Sequence, residues 1–271
     1  MAISSSPAAT DPDLRRVRAG EPTNAQEAGA SHAPTPAAID ALYRTWKASL
    51  STERQAWETT LEQNLGDFYF PLHQHDKITG ISNAWDYVAD DPRLPRVLLL
   101  GDSISRGYTL PVRAMLAGRA NVHRAPENCG PTANGLAKLG VWLGREHWDI
   151  ITFNFGIHDR ATPVAVYEER LAEIIRQLRP TGARLIWITS TPIPANLPRY
   201  PESAAIPVLN AAGSALAQRE RLDRLDLGHL IAPVASRLQV PGDVHFTAEG
   251  YDVLGRYVAG AIAAALEADL K

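Results

Sequence analysis

The chain has 271 residues, enough for one sizeable α/β domain with a real core and marginal for two. Hydrophobic residues make up 45%, and the net charge of -3 with histidine neutral carries no polycationic signature for nucleic acid or an anionic membrane. The single cysteine, Cys129, excludes an internal disulfide and a cysteine-based zinc cluster.

The first residues, Met1-Ala2-Ile3-Ser4-Ser5-Ser6-Pro7, lack the basic segment and apolar run of a secretory signal. No later stretch approaches the roughly 18 uninterrupted apolar residues of a membrane span. The expectation is a cytoplasmic protein without an integral membrane segment, with secretion by another route left open and the oligomeric state undetermined.

Residues 1–35, rich in Ala, Ser, Pro, Thr and Gly without an apolar period, read as a disordered tail. Residues 36–95 read as a helical and irregular arm packed on the core. Ile39, Leu42, Tyr43 and Trp46 fall at helical spacing, Thr52 with Gln55 resembles a capping box, and Gly66 ends the second helix. The aromatic stretch from Asp67 to Pro95 shows no period and is expected to be non-repetitive. Within it, His73-Gln74-His75-Asp76 has metal-capable side chains but no partner cluster, and reads as a polar loop.

From residue 96 to 271 the chain alternates strand and helix. Strands are predicted over 96–100, 122–124, 148–155, 183–189 and, weakly, 225–227. Helices are predicted over 110–116, 132–143, 164–178, 206–221 and 248–268. Such alternation implies a parallel sheet covered by helices on both faces, with the site at the carboxyl ends of the strands.

Three segments carry chemistry. In Gly101-Asp102-Ser103, a serine sits where a buried strand gives way to a helix, so its hydroxyl and backbone N–H lie near a helix N-terminus that favours negative charge. The plainer reading is a helix cap or turn. In Asp243-Val244-His245-Phe246, a histidine just before the last helix has an acid two residues away, the pairing that activates a hydroxyl. Alone, this too reads as a capped helix start, with Thr247 as the cap. In Gly156-Ile157-His158-Asp159, after the most apolar strand, His158 offers a side-chain donor. Gly130, ahead of another helix, offers its N–H.

In this order, Gly101-Asp102-Ser103, Gly130, Gly156-x-His158-Asp159 and Asp243-x-His245 resemble the four sequence blocks of the SGNH (GDSL-like) hydrolases, over about residues 95–260. The resemblance implies a flavodoxin-like three-layer α/β/α sandwich with about five parallel strands, here with a helical N-terminal extension. It implies a serine hydrolase that cleaves carboxylic esters through an acyl-enzyme. Ser103 is the nucleophile, His245 the general base, and Ser103, Gly130 and His158 form the oxyanion hole, with no metal or organic cofactor. Two positions depart from the family. His158 stands where members usually have Asn. Gly242 stands three residues before His245, where the acid usually lies, so either Asp243 fills that role from a shifted loop or a backbone carbonyl orients the imidazole. Asp243 is favoured.

Asp102, Arg106, Tyr108, Asp159 and Phe246 are candidate substrate contacts, because they lie next to these blocks. Cys129 reads as a structural thiol. By analogy with the family, the resemblance together with the short, polar connecting loops implies a preference for small acyl groups, such as acetyl on a carbohydrate, with a small-molecule or saccharide ester as the expected partner. A lysophospholipase, an acyl-thioesterase and a non-catalytic binding module that keeps the fold are the alternatives.

Overall fold

The computed structural model describes residues 34–268. The expectation of a disordered tail over 1–35 falls almost wholly outside them. The chain divides at Ser82/Asn83 into two compact units.

The first unit holds three helices, α1 (Pro36–Ala48), α2 (Thr52–Asn64) and α3 (Gly66–Ile78). Its centre is polar as well as aromatic. Glu58, on α2, accepts from the Tyr43 hydroxyl at 2.6 Å, and the same carboxylate oxygen pairs with His73 Nε2 at 2.7 Å, with all three residues buried. This corrects two sequence expectations. The segment 73–76 is helix, not polar loop, and α3 was hidden because buried polar residues occupy positions where an apolar period would show. Thr52 does not form the capping box either. Ser51 takes the N-cap position, and the Gln55 amide turns back to the Leu50 carbonyl at 2.8 Å.

The second unit is a five-stranded parallel sheet in the order β2-β1-β3-β4-β5, formed by β1 (Arg96–Leu100), β2 (Asn121–Arg124), β3 (Ile150–Phe153), β4 (Arg184–Ile188) and β5 (Asp223–Leu225). Helices α4 (Ser103–Met115), α5 (Thr132–Leu143), α6 (Val164–Leu178), α7 (Ala205–Arg219) and α10 (Ala248–Ala268) cover it, with short helices α8 (Leu227–Ile231) and α9 (Ala235–Leu238) before the last. This is the three-layer sandwich expected. Strand side chains alternate between faces. Val97, Leu99, Ile186 and Ile188 point to a core shared chiefly with α4 and α10. Leu98, Leu100, Leu185 and Trp187 point to a core shared with α5, α6 and α7. Both faces are apolar, which is why the central strands β1, β3 and β4 read as continuous hydrophobic runs. None of the described helices is long and apolar enough to cross a membrane.

Residues 83–95 belong with this second unit. The Trp85 indole N–H donates to the Ala125 carbonyl at 3.2 Å, and the Asn121 amide donates to the Asp91 and Leu94 carbonyls at 2.9 and 3.0 Å. The weak strand expected over 225–227 lies two residues earlier, because Leu227 already opens α8 under the Asp226 cap. Helix α4 starts at Ser103, well before the expected residue 110, because its polar first turn hides the period.

In a β2-β1-β3 arrangement the chain leaves β1 toward one side and returns on the other, so the crevice beyond the carboxyl ends of β1 and β3 is the topological switch point. The Ser103 turn follows β1 and the His158 segment follows β3, so both flank that crevice. The third contributor, the loop before α10, is seated by Gly250. A Cβ there would lie 2.6 Å from the Leu238 carbonyl oxygen and 2.9 Å from Phe246 Cβ. Gly250→Ala should therefore lower unfolding stability by about 1–3 kcal/mol by overpacking, read as a reduced midpoint in chemical denaturation with an unchanged m-value.

Candidate active site

Strand β1 ends at Leu100, and Gly101 turns the chain toward α4. A Cβ on Gly101 would meet Ser105 Oγ at 2.8 Å, so the turn is tight enough to need glycine. Asp102 is the N-cap of α4, its carboxylate accepting from the Ile104 N–H at 2.9 Å. It is buried in that task. Ser103 is the first helical residue, and its N–H has no intrahelical acceptor.

His245 and Asp243 arrive from a pinned loop between α9 and α10. Val240-Pro241-Gly242-Asp243 has the signature of a type II turn, with proline second, Gly242 third at φ +74, and the Asp243 N–H returning to the Val240 carbonyl at 3.0 Å. A bridge between Gln239 and Phe246, and the Thr247 N–H donating to the Leu238 carbonyl at 2.8 Å, close the loop. Thr247 Oγ1 accepts from the Gly250 N–H at 3.1 Å, as its cap reading expected. The turn explains the departure noted in the sequence: Gly242 supplies the left-handed residue, and the acid moves one place along.

The loop sets His245 against Ser103. Ser103 Oγ and His245 Nε2 are 2.8 Å apart, and His245 Nδ1 is 2.8 Å from Asp243 Oδ1. A carboxylate only accepts, so Nδ1 carries the proton and Nε2 accepts from the serine hydroxyl. Asp243 Oδ1 also accepts from the backbone N–H of Val244 at 2.6 Å and of His245 at 3.2 Å. Burial alone would raise the Asp243 pKa. The hydrogen bonds and charge of His245, with the two backbone donors, outweigh it and hold the carboxyl below its ordinary range. Of the two partners left open for the imidazole, the carboxylate is the one in contact. All three residues are buried, with Ser103 keeping 8% of its surface, Asp243 6% and His245 2%.

Gly130 sits at φ +63, half-buried, just ahead of α5. The preceding Cys129 binds the Gly101–Ser103 turn twice: its N–H donates to the Gly101 carbonyl at 3.2 Å, and its Sγ accepts from the Gly101 N–H at 3.2 Å. Burial pushes the Cys129 thiol up to about 12, which leaves it a packing group and not a nucleophile. After β3, Asn154 donates to the Ile188 carbonyl at 2.8 Å and to Ser190 Oγ at 3.1 Å, and the chain then enters a 3-10 turn, Ile157–Asp159, on which His158 is exposed.

Asp159 is fully buried. It accepts from the Thr132 N–H at 2.8 Å and the Thr132 hydroxyl at 2.7 Å, clasping the His158 turn to the segment that carries Gly130. Burial raises its pKa although these donors oppose the rise. It ties two loops together and does not face a ligand, which corrects its reading as a substrate contact. Tyr108, on α4, and Phe246, just before α10, are buried at 2% and 1% exposure in the apolar core that the two helices share. Arg106, in the first turn of α4, lies with its guanidinium carbon 5.9 Å from the centroid of the Trp85 ring.

One residue escaped the sequence reading. Arg124, the last residue of β2, is 2% exposed. Its Nη2 donates to the Gly101 carbonyl at 3.0 Å and the Asp102 carbonyl at 2.9 Å, and its Nη1 donates to Ser105 Oγ. The signal was a lone arginine closing a predicted strand.

A search of curated proteins finds no match. Among solved structures, the chain is similar to a lipase/acylhydrolase from Enterococcus faecalis, at 21% identity and a TM-score of 0.57 over 62% of this chain and 95% of the other. It is similar to an acetyl xylan esterase, at 14% identity and a TM-score of 0.54 over 62% and 99%. It is also similar to an acetylxylan esterase from Geobacillus stearothermophilus, at 16% identity and a TM-score of 0.52 over 62% and 94%. Identities this low establish the shared fold alone. The family model described as GDSL-like Lipase/Acylhydrolase matches residues 99–253, more than half of the chain, from the end of β1 to the first turns of α10. The chain belongs to the GDSL-like lipase/acylhydrolase family, the SGNH hydrolases.

Proposed function

We propose that the protein is a serine esterase acting on small acyl groups, with O-acetyl groups on a carbohydrate as the substrate class. The observation that carries this reading is the Ser103–His245–Asp243 chain of two hydrogen bonds, each 2.8 Å long. A serine hydroxyl is a poor nucleophile at neutral pH. An imidazole in contact with it, its tautomer set by a carboxylate, removes the proton as the oxygen attacks.

In this mechanism Ser103 Oγ adds to the ester carbonyl while His245 Nε2 takes its proton. The carbonyl oxygen becomes an anion, held by the N–H groups of Ser103 and Gly130 and by the His158 side chain. The carbon–oxygen bond to the alcohol then breaks, and His245 returns the proton to that alcohol. Water attacks the acyl-enzyme by the same route in reverse roles. Asp243 stabilises the imidazolium formed in both steps. The clasp between Asp159 and Thr132 supports this reading, because it keeps the segments bearing Gly130 and His158 at a constant separation. The small-acyl assignment is supported by the polar connecting loops and by the two acetylxylan esterases among the similar folds.

Labelling with a fluorophosphonate probe tests the chemistry. The wild type should label and hydrolyse p-nitrophenyl acetate, and Ser103→Ala should do neither. An intact protein that neither labels nor hydrolyses any ester would leave only the binding-module alternative. A series of p-nitrophenyl esters tests the acyl size: kcat/KM should fall from acetate and butyrate toward palmitate, and a rise toward long chains would point to a lysophospholipase instead.

Asp243→Asn should lower kcat by about 10²–10⁴-fold through loss of the tautomer and of imidazolium stabilisation. Near-normal turnover would remove Asp243 from the mechanism. The same variant has a stability signature. A carboxyl with a lowered native pKa contributes fully above its unfolded value, near about pH 4, and loses that contribution as pH falls through the native value. Asp243→Asn should therefore flatten the acid side of the stability–pH curve, as read by denaturation between about pH 5 and 2.

A further inference from the structure

Arg124 has an unusual set of partners for a buried cation. Its hydrogen bonds go to two backbone carbonyls and a hydroxyl, and all three acceptors lie within Gly101–Ser105, the turn that presents the nucleophile. A guanidinium with 2% exposure pays heavily in lost hydration, and uncharged or apolar groups would fill the same space at less cost.

The Asp102 carbonyl and the Ser103 N–H belong to one peptide group. On the carbonyl side of that peptide three donors converge: Arg124 Nη2 at 2.9 Å, Ser105 Oγ at 2.8 Å and the Arg106 N–H at 3.0 Å. Ser105 Oγ itself accepts from Arg124 Nη1 while donating to Asp102. Hydrogen bonds to an amide oxygen withdraw electron density through the conjugated C–N bond, so its N–H becomes a stronger donor, and the effect is larger when the donor carries charge. The same Nη2 holds the Gly101 carbonyl at 3.0 Å, and the Cys129 N–H meets that oxygen at 3.2 Å. Thus the peptide planes on either side of Asp102 are each fixed from the rear. The Trp85 ring, 5.8 Å from the guanidinium carbon, bounds the cation on another side.

We propose that Arg124 is a positioning residue for ester hydrolysis, fixing and polarising the Asp102–Ser103 peptide from its carbonyl side so that the Ser103 N–H meets the oxyanion as a strong, immobile donor. The inference rests on the reading of Ser103 as nucleophile and of its N–H as part of the oxyanion hole. Arg124 does not touch substrate. It acts only where negative charge develops, so its loss should appear in kcat and in binding of tetrahedral anions, and not in KM.

The test compares wild type, Arg124→Met and Arg124→Lys on p-nitrophenyl acetate, with benzeneboronic acid as a reversible mimic of the tetrahedral anion on Ser103 and thermal unfolding to measure the folded fraction at the assay temperature. Outright removal of an oxyanion donor costs about 10²–10³-fold in kcat, so weakening one should cost about 10–100-fold in Arg124→Met and less in Arg124→Lys. The boronate inhibition constant should rise in parallel while KM stays within about twofold. Unchanged kcat and boronate affinity in folded Arg124→Met, or in Arg124→Lys if the first variant does not fold, would overturn the inference. So would a loss of activity that only follows the folded fraction. A wild type that neither hydrolyses the ester nor labels with a fluorophosphonate would overturn the esterase reading and this inference with it, whereas an active wild type with indifferent Arg124 variants overturns this inference alone.

Discussion

A hydrogen bond of 2.8 Å between Ser103 and His245, residues 142 positions apart, is the constraint to which much of the α/β unit answers. A mismatch of about 1 Å at such a contact would be costly for catalysis, so both ends must be held from behind. On one side the serine is set by the β1 exit, the Asp102 cap and the Arg124 guanidinium. On the other, the histidine is set by a proline–glycine turn, a two-residue bridge and the start of α10. Helices α4 and α10 share one apolar core under the sheet, so the two halves of the site rest on a common support.

The site is built from buried polar cross-links more than from apolar packing. Asp159 with Thr132 joins the loops after β2 and β3. Asn154 joins the ends of β3 and β4. Cys129 and Arg124 join the end of β2 and its following loop to the turn after β1. Each link satisfies a group that would be costly to bury alone, and hydrogen bonds to charged groups contribute about 1.5–3 kcal/mol each. Such links have a direction and a length, which dispersion contacts lack. They are suited to places where loops with no regular structure must hold a fixed geometry.

The parts of the fold that were legible in the sequence are those governed by local periodicity. Helices α5, α6 and α10 lie on the predicted residues, and β1, β3 and β4 were visible as apolar runs, because a sheet covered on both faces leaves no polar alternation to confuse its central strands. Helix α3 was not legible. Its core-facing positions include His73 and Gln74, whose partners Glu58 and Asp40 come from other helices. The four candidate substrate contacts that proved buried, Asp102, Tyr108, Asp159 and Phe246, were chosen for closeness in sequence to the site. Neighbouring residues on a helix or a turn point in different directions, so closeness along the chain says little about exposure.

The sequence alone determined the alternation of strand and helix, the order of the four blocks and the chemical types available in each, because these depend on composition and spacing within short windows. Only the tertiary structure decided that the Asp243 carboxylate, and no backbone carbonyl, meets the imidazole. Only it decided that Asp159 faces Thr132 inside the protein, and that Arg124 reaches the carbonyls of Gly101 and Asp102 behind Ser103. Those facts depend on directions fixed by turns and on partners from distant segments. A linear pattern can name the groups, but the angle at which each loop leaves the sheet decides which of them touch.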